Sequence, residues 1–173
     1  MLRKFGIIAV LSLMALALSA VAAQAVTLGP FAATSTSNTG GLHFVGTPTI
    51  TATKDANSAT LTASGEVAGA GTTATATLAS QAEVTTGCIN RGSKDQEPSG
   101  LQTTTTTATG TTTFRTRSGR GTFTVSTVPI TSAGADCPPP MTPTLVSVNF
   151  TDITLTVTSQ TGTATATFAD IDP

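Results

Sequence analysis

Residues 72–92, TTATATLASQAEVTTGCINRG, alternate with period two. Ala74, Ala76, Leu78, Ala82 and Val84 share one parity, interrupted only by Ser80. Thr73, Thr75, Thr77, Gln81 and Glu83 share the other, with Ala79 the exception. Successive side chains of a strand point to opposite faces, so this segment predicts a strand with one buried and one wet face. Other stretches repeat the pattern. In residues 43–53, Ile50 and Ala52 oppose Thr49, Thr51 and Thr53; Pro48 lacks an N–H, so this strand starts there or lies at an edge. A turn over residues 54–58 leads to a strand with Ala59, Leu61, Ala63 and Val67 inward. Ala68-Gly69-Ala70-Gly71 then turns the chain into residues 72–92, and the three segments read as a meander.

Further on, residues 101–114 form a Thr tract whose register is weakly specified, because Thr can face either side. Residues 114–128 read as a hairpin around Ser118-Gly119-Arg120-Gly121, with Phe123 and Val125 buried. Residues 129–143 are a long connection. Val146, Val148 and Phe150 share one parity, and Ile153, Leu155 and Val157 the opposite one, so Thr151-Asp152 marks a bulge or a change of sheet. Ala164, Ala166 and Phe168 complete a last strand. About eight short strands, with turns every 8–12 residues and no helical period after the N-terminus, predict an all-β fold. The expected architecture is a single immunoglobulin-like antiparallel β-sandwich over residues 43–173. Residues 26–42 read as an irregular lead-in, with an edge strand at most over residues 26–28.

The N-terminus changes the compartment. Arg3 and Lys4 precede an apolar run over residues 7–23, and Ala23-Gln24-Ala25 fits a small-x-small cleavage site. Residues 1–25 therefore predict a helical signal peptide that is removed, the alternative being an uncleaved anchor near the shortest length that spans a bilayer. Six basic and nine acidic residues follow, a net charge of −3. So sparse and acidic a charge argues against nucleic acid or an anionic membrane as partner. All 40 threonines lie after the signal segment, and Trp and Tyr are absent. Thr favours strands and tolerates water. Mucin-like disorder is the competing reading of such a composition, and the in-phase apolar positions oppose it.

Cys88 and Cys137 are the only cysteines, and in an exported chain they predict one disulfide. Closing about 50 residues contributes roughly 4 kcal/mol in the chain-entropy model. Cys88 opens C-I-N-R-G-S-K-D-Q-E-P-S-G at the end of the alternating strand. A second Cys-Pro follows some fifty residues on, and then V-S-V-N-F-T-D-I-T-L-T-V. This combination resembles a group of small secreted bacterial proteins, common in actinobacteria, that carry a C-x-N-x-G-G…P-x-G segment and a late V-x-F-T-x-(V/I)-T strand. The likeness spans residues 72–168, with Ser93 in place of the second Gly and a more charged loop. It implies a secreted β-sandwich with one disulfide and no particular chemistry.

Residues 91–100, RGSKDQEPSG, concentrate charge: Arg91, Lys94, Asp95 and Glu97 make this loop the leading interaction candidate. It lacks an aromatic anchor. Arg115, Arg117 and Arg120 cluster at the expected hairpin tip. They are a candidate contact for a carboxylate or phosphate, or alternatively protect an edge from sheet-to-sheet association. His43 is the single His, and no G-x-S-x-G accompanies it, so it reads as a polar strand start rather than a catalytic base. Asp170 and Asp172 resemble a cation pair on a terminus expected to fray. Thr73-Ala74-Thr75-Ala76-Thr77 and Thr163-Ala164-Thr165-Ala166-Thr167 would suit an ice-binding face, yet no fixed-length repeat builds a regular array. Lys54, Asn149 and the acid Glu66 are candidates for an internal Lys–Asn isopeptide crosslink.

The sequence thus predicts a non-enzymatic secreted or cell-envelope structural or interaction domain. Its partner would be an unknown surface partner or an envelope polymer, and it would need no cofactor, no metal and no membrane once the signal is cleaved. A monomer is expected. The C-terminal FADIDP has no sorting motif, so free secretion is expected over anchoring. The alternatives are a carbohydrate-binding or carbohydrate-acting accessory protein, for which the lack of Trp and Tyr is a poor endowment, and an ice-binding Thr face.

Overall fold

Alternating Thr and apolar residues build two antiparallel sheets in the computed structural model, which describes residues 25–90 and 97–173. The signal peptide expected over residues 1–25 falls almost wholly outside the described residues. Within them the chain forms eleven strands: β1 (Val26–Ala32), β2 (Ser35–Gly40), β3 (His43–Phe44), β4 (Thr49–Lys54), β5 (Ser58–Ala68), β6 (Thr73–Asn90), β7 (Ser99–Arg115), β8 (Gly121–Ser126), β9 (Ile130–Thr131), β10 (Met141–Ser159) and β11 (Gly162–Thr167). In sheet I, β1 pairs β4, β4 pairs β5, and β5 also pairs β3, β8 and β9. Sheet II has the order β2-β11-β10-β6-β7.

The apolar parities of the two sheets meet across one core. Leu61, Ala63 and Val67 of β5 and Ile50 of β4 face Leu78 of β6 and Val148, Phe150, Leu155 and Val157 of β10, all of them buried. β6 and β10 pair along nearly their whole length, from Asn90 opposite Met141 to Ala74 opposite Ser159. Phe123 packs on Phe114 and Phe44, with ring centroids 5.6 and 6.4 Å apart. Ser80, the break in the apolar parity of β6, does point inward, and its hydroxyl has no hydrogen-bond partner among the described residues. Such an unpaired buried group costs on the order of 1–3 kcal/mol.

Several sequence expectations need correction. Of these three segments only β4 and β5 form a hairpin; after β5 the chain crosses to the other sheet, so β4, β5 and β6 are not a meander. Gly69 (φ 76°) and Gly71 (φ 74°) shape that crossing. The crossing lets the apolar faces of β5 and β6 bury each other, which coplanar neighbours cannot do. Residues 114–128 likewise contain the expected tight turn, with Ser118 and Gly119 at φ 50° and 76° and mutual backbone bonds between Arg117 and Arg120. Its arms then part, β7 into sheet II and β8 into sheet I. The parity switch at Thr151-Asp152 is a bulge inside one strand: Asp152 sits at φ 52° and the β6–β10 register shifts there. A second shift at Val146 turns Leu145 rather than Val146 inward.

Residues 26–42 are not irregular. β1 pairs β4 and β2 pairs β11, and Leu42 is fully buried. β2 is exposed at every position. A strand with no buried face carries no apolar period, so period-two reading cannot see it. The C-terminus does not fray either, because Ile171 is buried and exchanges backbone bonds with Phe150 at 2.9 and 3.0 Å.

The β4–β5 turn is closed by Asp55, whose Oδ1 accepts the N–H groups of Asn57 and Ser58, both at 2.7 Å. Those two bonds hold its carboxyl below the ordinary value of 3.8. The stabilisation is complete above that ordinary value and is lost as pH falls through the lower folded-state value. In urea titrations between neutral pH and strong acid, Asp55→Asn should remove part of the decline in stability below pH 3.8. An unchanged acid limb would mean that Asp55 is not linked to folding.

Candidate functional site

The outer face of sheet II carries rows of hydroxyls set by strand register. Thr39 of β2 lies opposite Thr163, Thr163 opposite Thr158, Thr158 opposite Thr75, and Thr75 opposite Thr113, one row across five strands. The next row runs Ser37, Thr165, Thr156, Thr77, Thr111, and the third Ser35, Thr167, Thr154, Ala79, Thr109. Ala79 is the only one of these positions without a hydroxyl, and none is charged. Neighbouring strands are about 4.8 Å apart and alternate residues about 6.7 Å along a strand, so the hydroxyls and methyls form a two-dimensional lattice. Cross-strand bonds order it: Thr75 to Thr113 at 3.1 Å, Thr77 to Thr111 at 3.4 Å and Ser35 to Thr167 at 2.8 Å between hydroxyl oxygens.

Beyond the Asp152 bulge the face narrows to three strands, with rows Thr151-Gln81-Thr107, Asn149-Glu83-Thr105 and Ser147-Thr85-Thr103. Glu83 is the single charge in these rows. The sequence signalled the two T-x-T runs of β6 and β11. It did not signal their alignment, nor the contributions of β2, β7 and β10, because register is a property of pairs of strands.

The other candidates are dispersed. Cys88 and Cys137 form the expected disulfide, with Cα atoms 5.6 Å apart, joining the end of β6 to the connection before β10. Arg91, Lys94 and Asp95 of the charged loop lie outside the described residues, and Glu97 is exposed. Arg115, Arg117 and Arg120 are all exposed; Arg120 is taken up by Glu66, whose Oε1 accepts from both Nε and Nη2 at 2.9 Å. Among the described residues Arg115 and Arg117 have no such carboxylate partner.

The isopeptide trio is not assembled. Lys54 pairs with Ala59 at one end of β5, while Glu66 is seven residues away near the other end, roughly 23 Å along the strand. Asn149 is an exposed outer position of sheet II, opposite Glu83. His43 is exposed, with Nδ1 3.2 Å from the Gly41 carbonyl oxygen. Asp170 shares a shallow cleft of about 230 Å³ with Asp152, and Asp172 does not line it. Among the described residues no three His, Cys, Asp or Glu side chains are grouped to hold a metal ion. No helix there is long and apolar enough to cross a membrane. A second cleft, of about 360 Å³, lies between the inner side of β7 and residues 128–131. No protein-family model, curated protein or solved structure matches this chain.

Proposed function

We propose that the protein is an exported, non-enzymatic contact domain whose working surface is the hydroxyl lattice of sheet II. The lattice carries this reading: its three full rows combine five strands, exclude charge and follow one another at every second residue of each strand. Such a face makes many weak, equivalent contacts, which suits an extended and regularly repeating partner. An envelope polymer meets that description. It would be bound through hydroxyl hydrogen bonds, since the chain has no Trp or Tyr on which to stack a sugar. Ordered water at an ice surface is the second reading, favoured by the same spacing, which strand pairing supplies without any sequence repeat.

Export rests on the signal-like residues 1–25 and agrees with the disulfide, which persists in oxidising compartments. Kinship with the small secreted actinobacterial group belongs to the same proposal. So does the immunoglobulin-like reading of the sandwich. In its favour, β11-β10-β6-β7 follow the order of the G, F, C and C′ strands of a variable-type sheet. Against the usual pattern, β4 lies between β1 and β5, and the disulfide does not bridge the two sheets.

Thr156, in the middle row, provides the test. Thr156→Lys places a charge in the lattice at an outer position and should leave the melting temperature nearly unchanged. Wild-type protein should be retained on insoluble cell-wall polysaccharide or enriched in a slowly growing ice fraction, and the variant should lose that retention at least tenfold. Retention on neither phase, or equal retention of the variant, would sink the proposal. Turnover of a polysaccharide that disappears with His43→Ala would replace it with an enzyme.

A further inference from the structure

We propose that the outer edge of β7 is a strand-addition surface that receives a second copy of the chain, antiparallel, about a two-fold axis near Thr103. The direction of the backbone groups identifies the edge. Val128 N–H donates to the Thr109 carbonyl from outside sheet II (2.8 Å), whereas Thr116 N–H donates to Thr72 on the β6 side (3.0 Å). In an antiparallel strand both backbone groups of one residue point the same way. Odd-numbered residues of β7 therefore point away from β6, and Leu101, Thr103, Thr105 and Thr107 present unpaired N–H and C=O groups. Among the described residues nothing bonds to them.

This edge lacks the protection of the others. β1 carries Gly29-Pro30 and a register break beside it. β2 is only six residues long. β8 is pressed against the far half of β7, as the Val128–Thr109 bond shows. Residues 99–114 of β7 contain no charge and no Pro, the two commonest blocks to edge pairing. Every residue from Leu101 to Thr107 is exposed on both faces. The two most exposed large apolar side chains flank the stretch: Leu101 (60%) on β7 itself, and Val128 (69%) in the wall of the cleft under Thr104 and Thr106. An added strand would hydrogen-bond the edge and cover both.

The sequence of the edge selects a second copy as occupant. Antiparallel self-pairing about Thr103 sets Leu101 opposite Thr105 and Thr103 opposite its own mate, with Thr–Thr contacts like the one between Thr75 and Thr113. No like charges meet in the uncharged stretch. An acidic or basic peptide would find no counter-charge along the edge itself. The pairing joins two five-stranded sheets into one, and the hydroxyl faces of both copies run on across it. It replaces the expected monomer with a dimer and does not depend on what the face binds.

Sedimentation equilibrium of the disulfide-intact protein at micromolar concentrations should give twice the chain mass. Thr105→Pro removes an outward N–H without touching the β6–β7 ladder and should give a monomer. Thr103→Lys leaves the backbone intact, sets two like charges across the two-fold axis, and should do the same at low salt, which covers the case of a Pro variant that fails to fold. A wild-type monomer throughout, an assembly larger than two, or a dimer that survives both variants would overturn the proposal. So would a dimer abolished by Ser37→Pro in β2 but not by Thr105→Pro or Thr103→Lys.

Discussion

Replacing both Cys88 and Cys137 by Ser is expected to lower the unfolding free energy by about 4 kcal/mol and the melting temperature by on the order of 10 °C. The bond closes a loop of 49 residues, and its larger effect is to restrict the unfolded chain. Its position adds a local consequence. The β4–β5 turn reaches Leu145, whose N–H donates to the Ala56 carbonyl at 2.8 Å, and Thr144 Oγ1 donates to the same oxygen at 3.1 Å. The ends of β6 and β10 toward Asn90 and Met141 run past that point. There the disulfide ties Cys88, near the end of β6, to the connection that leads into β10. Hydrogen exchange in the double variant should therefore speed up first at residues 85–90 and 141–146. Urea unfolding with and without reductant measures the free energy directly. A change under about 1 kcal/mol would mean that the unfolded chain is already compact in this region.

Gly110→Ala is expected to cost at least about 3 kcal/mol, although Ala is an ordinary strand residue and the site looks like any step in a Thr tract. A Cβ on Gly110 would lie 1.8 Å from the Ser126 carbonyl oxygen and 2.9 Å from Thr127 Cα. Both are backbone atoms and cannot rotate aside. This is the corner where sheet II meets β8 of sheet I, so relief would pull the sheets apart next to the Val128–Thr109 bond. Gly134→Ala is the control: nothing lies within 4 Å of its Cβ position, and the change should stay within about 0.5 kcal/mol. Similar melting temperatures for the two variants would refute this account of the corner.

Legibility of the fold followed burial. Where a strand has one buried face, as at Ile50 and Ala52 or at Ala74, Ala76 and Leu78, the alternation identified strand and inward face together. The opposite parities at Phe150 and Ile153 located the Asp152 bulge, because an inserted residue must flip the phase. β2 and the first half of β7 were obscure for the complementary reason. Both are exposed on either face, and Thr or Ser fits either side equally. The turns after β5 and β7 were visible as Gly-rich steps, but a turn sequence does not say whether the next strand pairs with the last or crosses the core.

The candidate site divides along the same line. By itself the sequence determined an all-β chain with hydroxyl-rich wet faces, little charge and one cysteine pair, since composition and period-two alternation act residue by residue. Which Thr stands beside which was decided by the tertiary structure alone. The row Thr39, Thr163, Thr158, Thr75, Thr113 draws on residues far apart in the chain, aligned by hydrogen-bond ladders and by the demand that the apolar faces of β11, β10, β6 and β7 close over one core. The same demand separated Lys54 from Glu66 and left the first half of the β7 edge without a neighbour among the described residues. Local patterning sets which face of a strand is wet, and only the packing of the sheets sets what that face becomes.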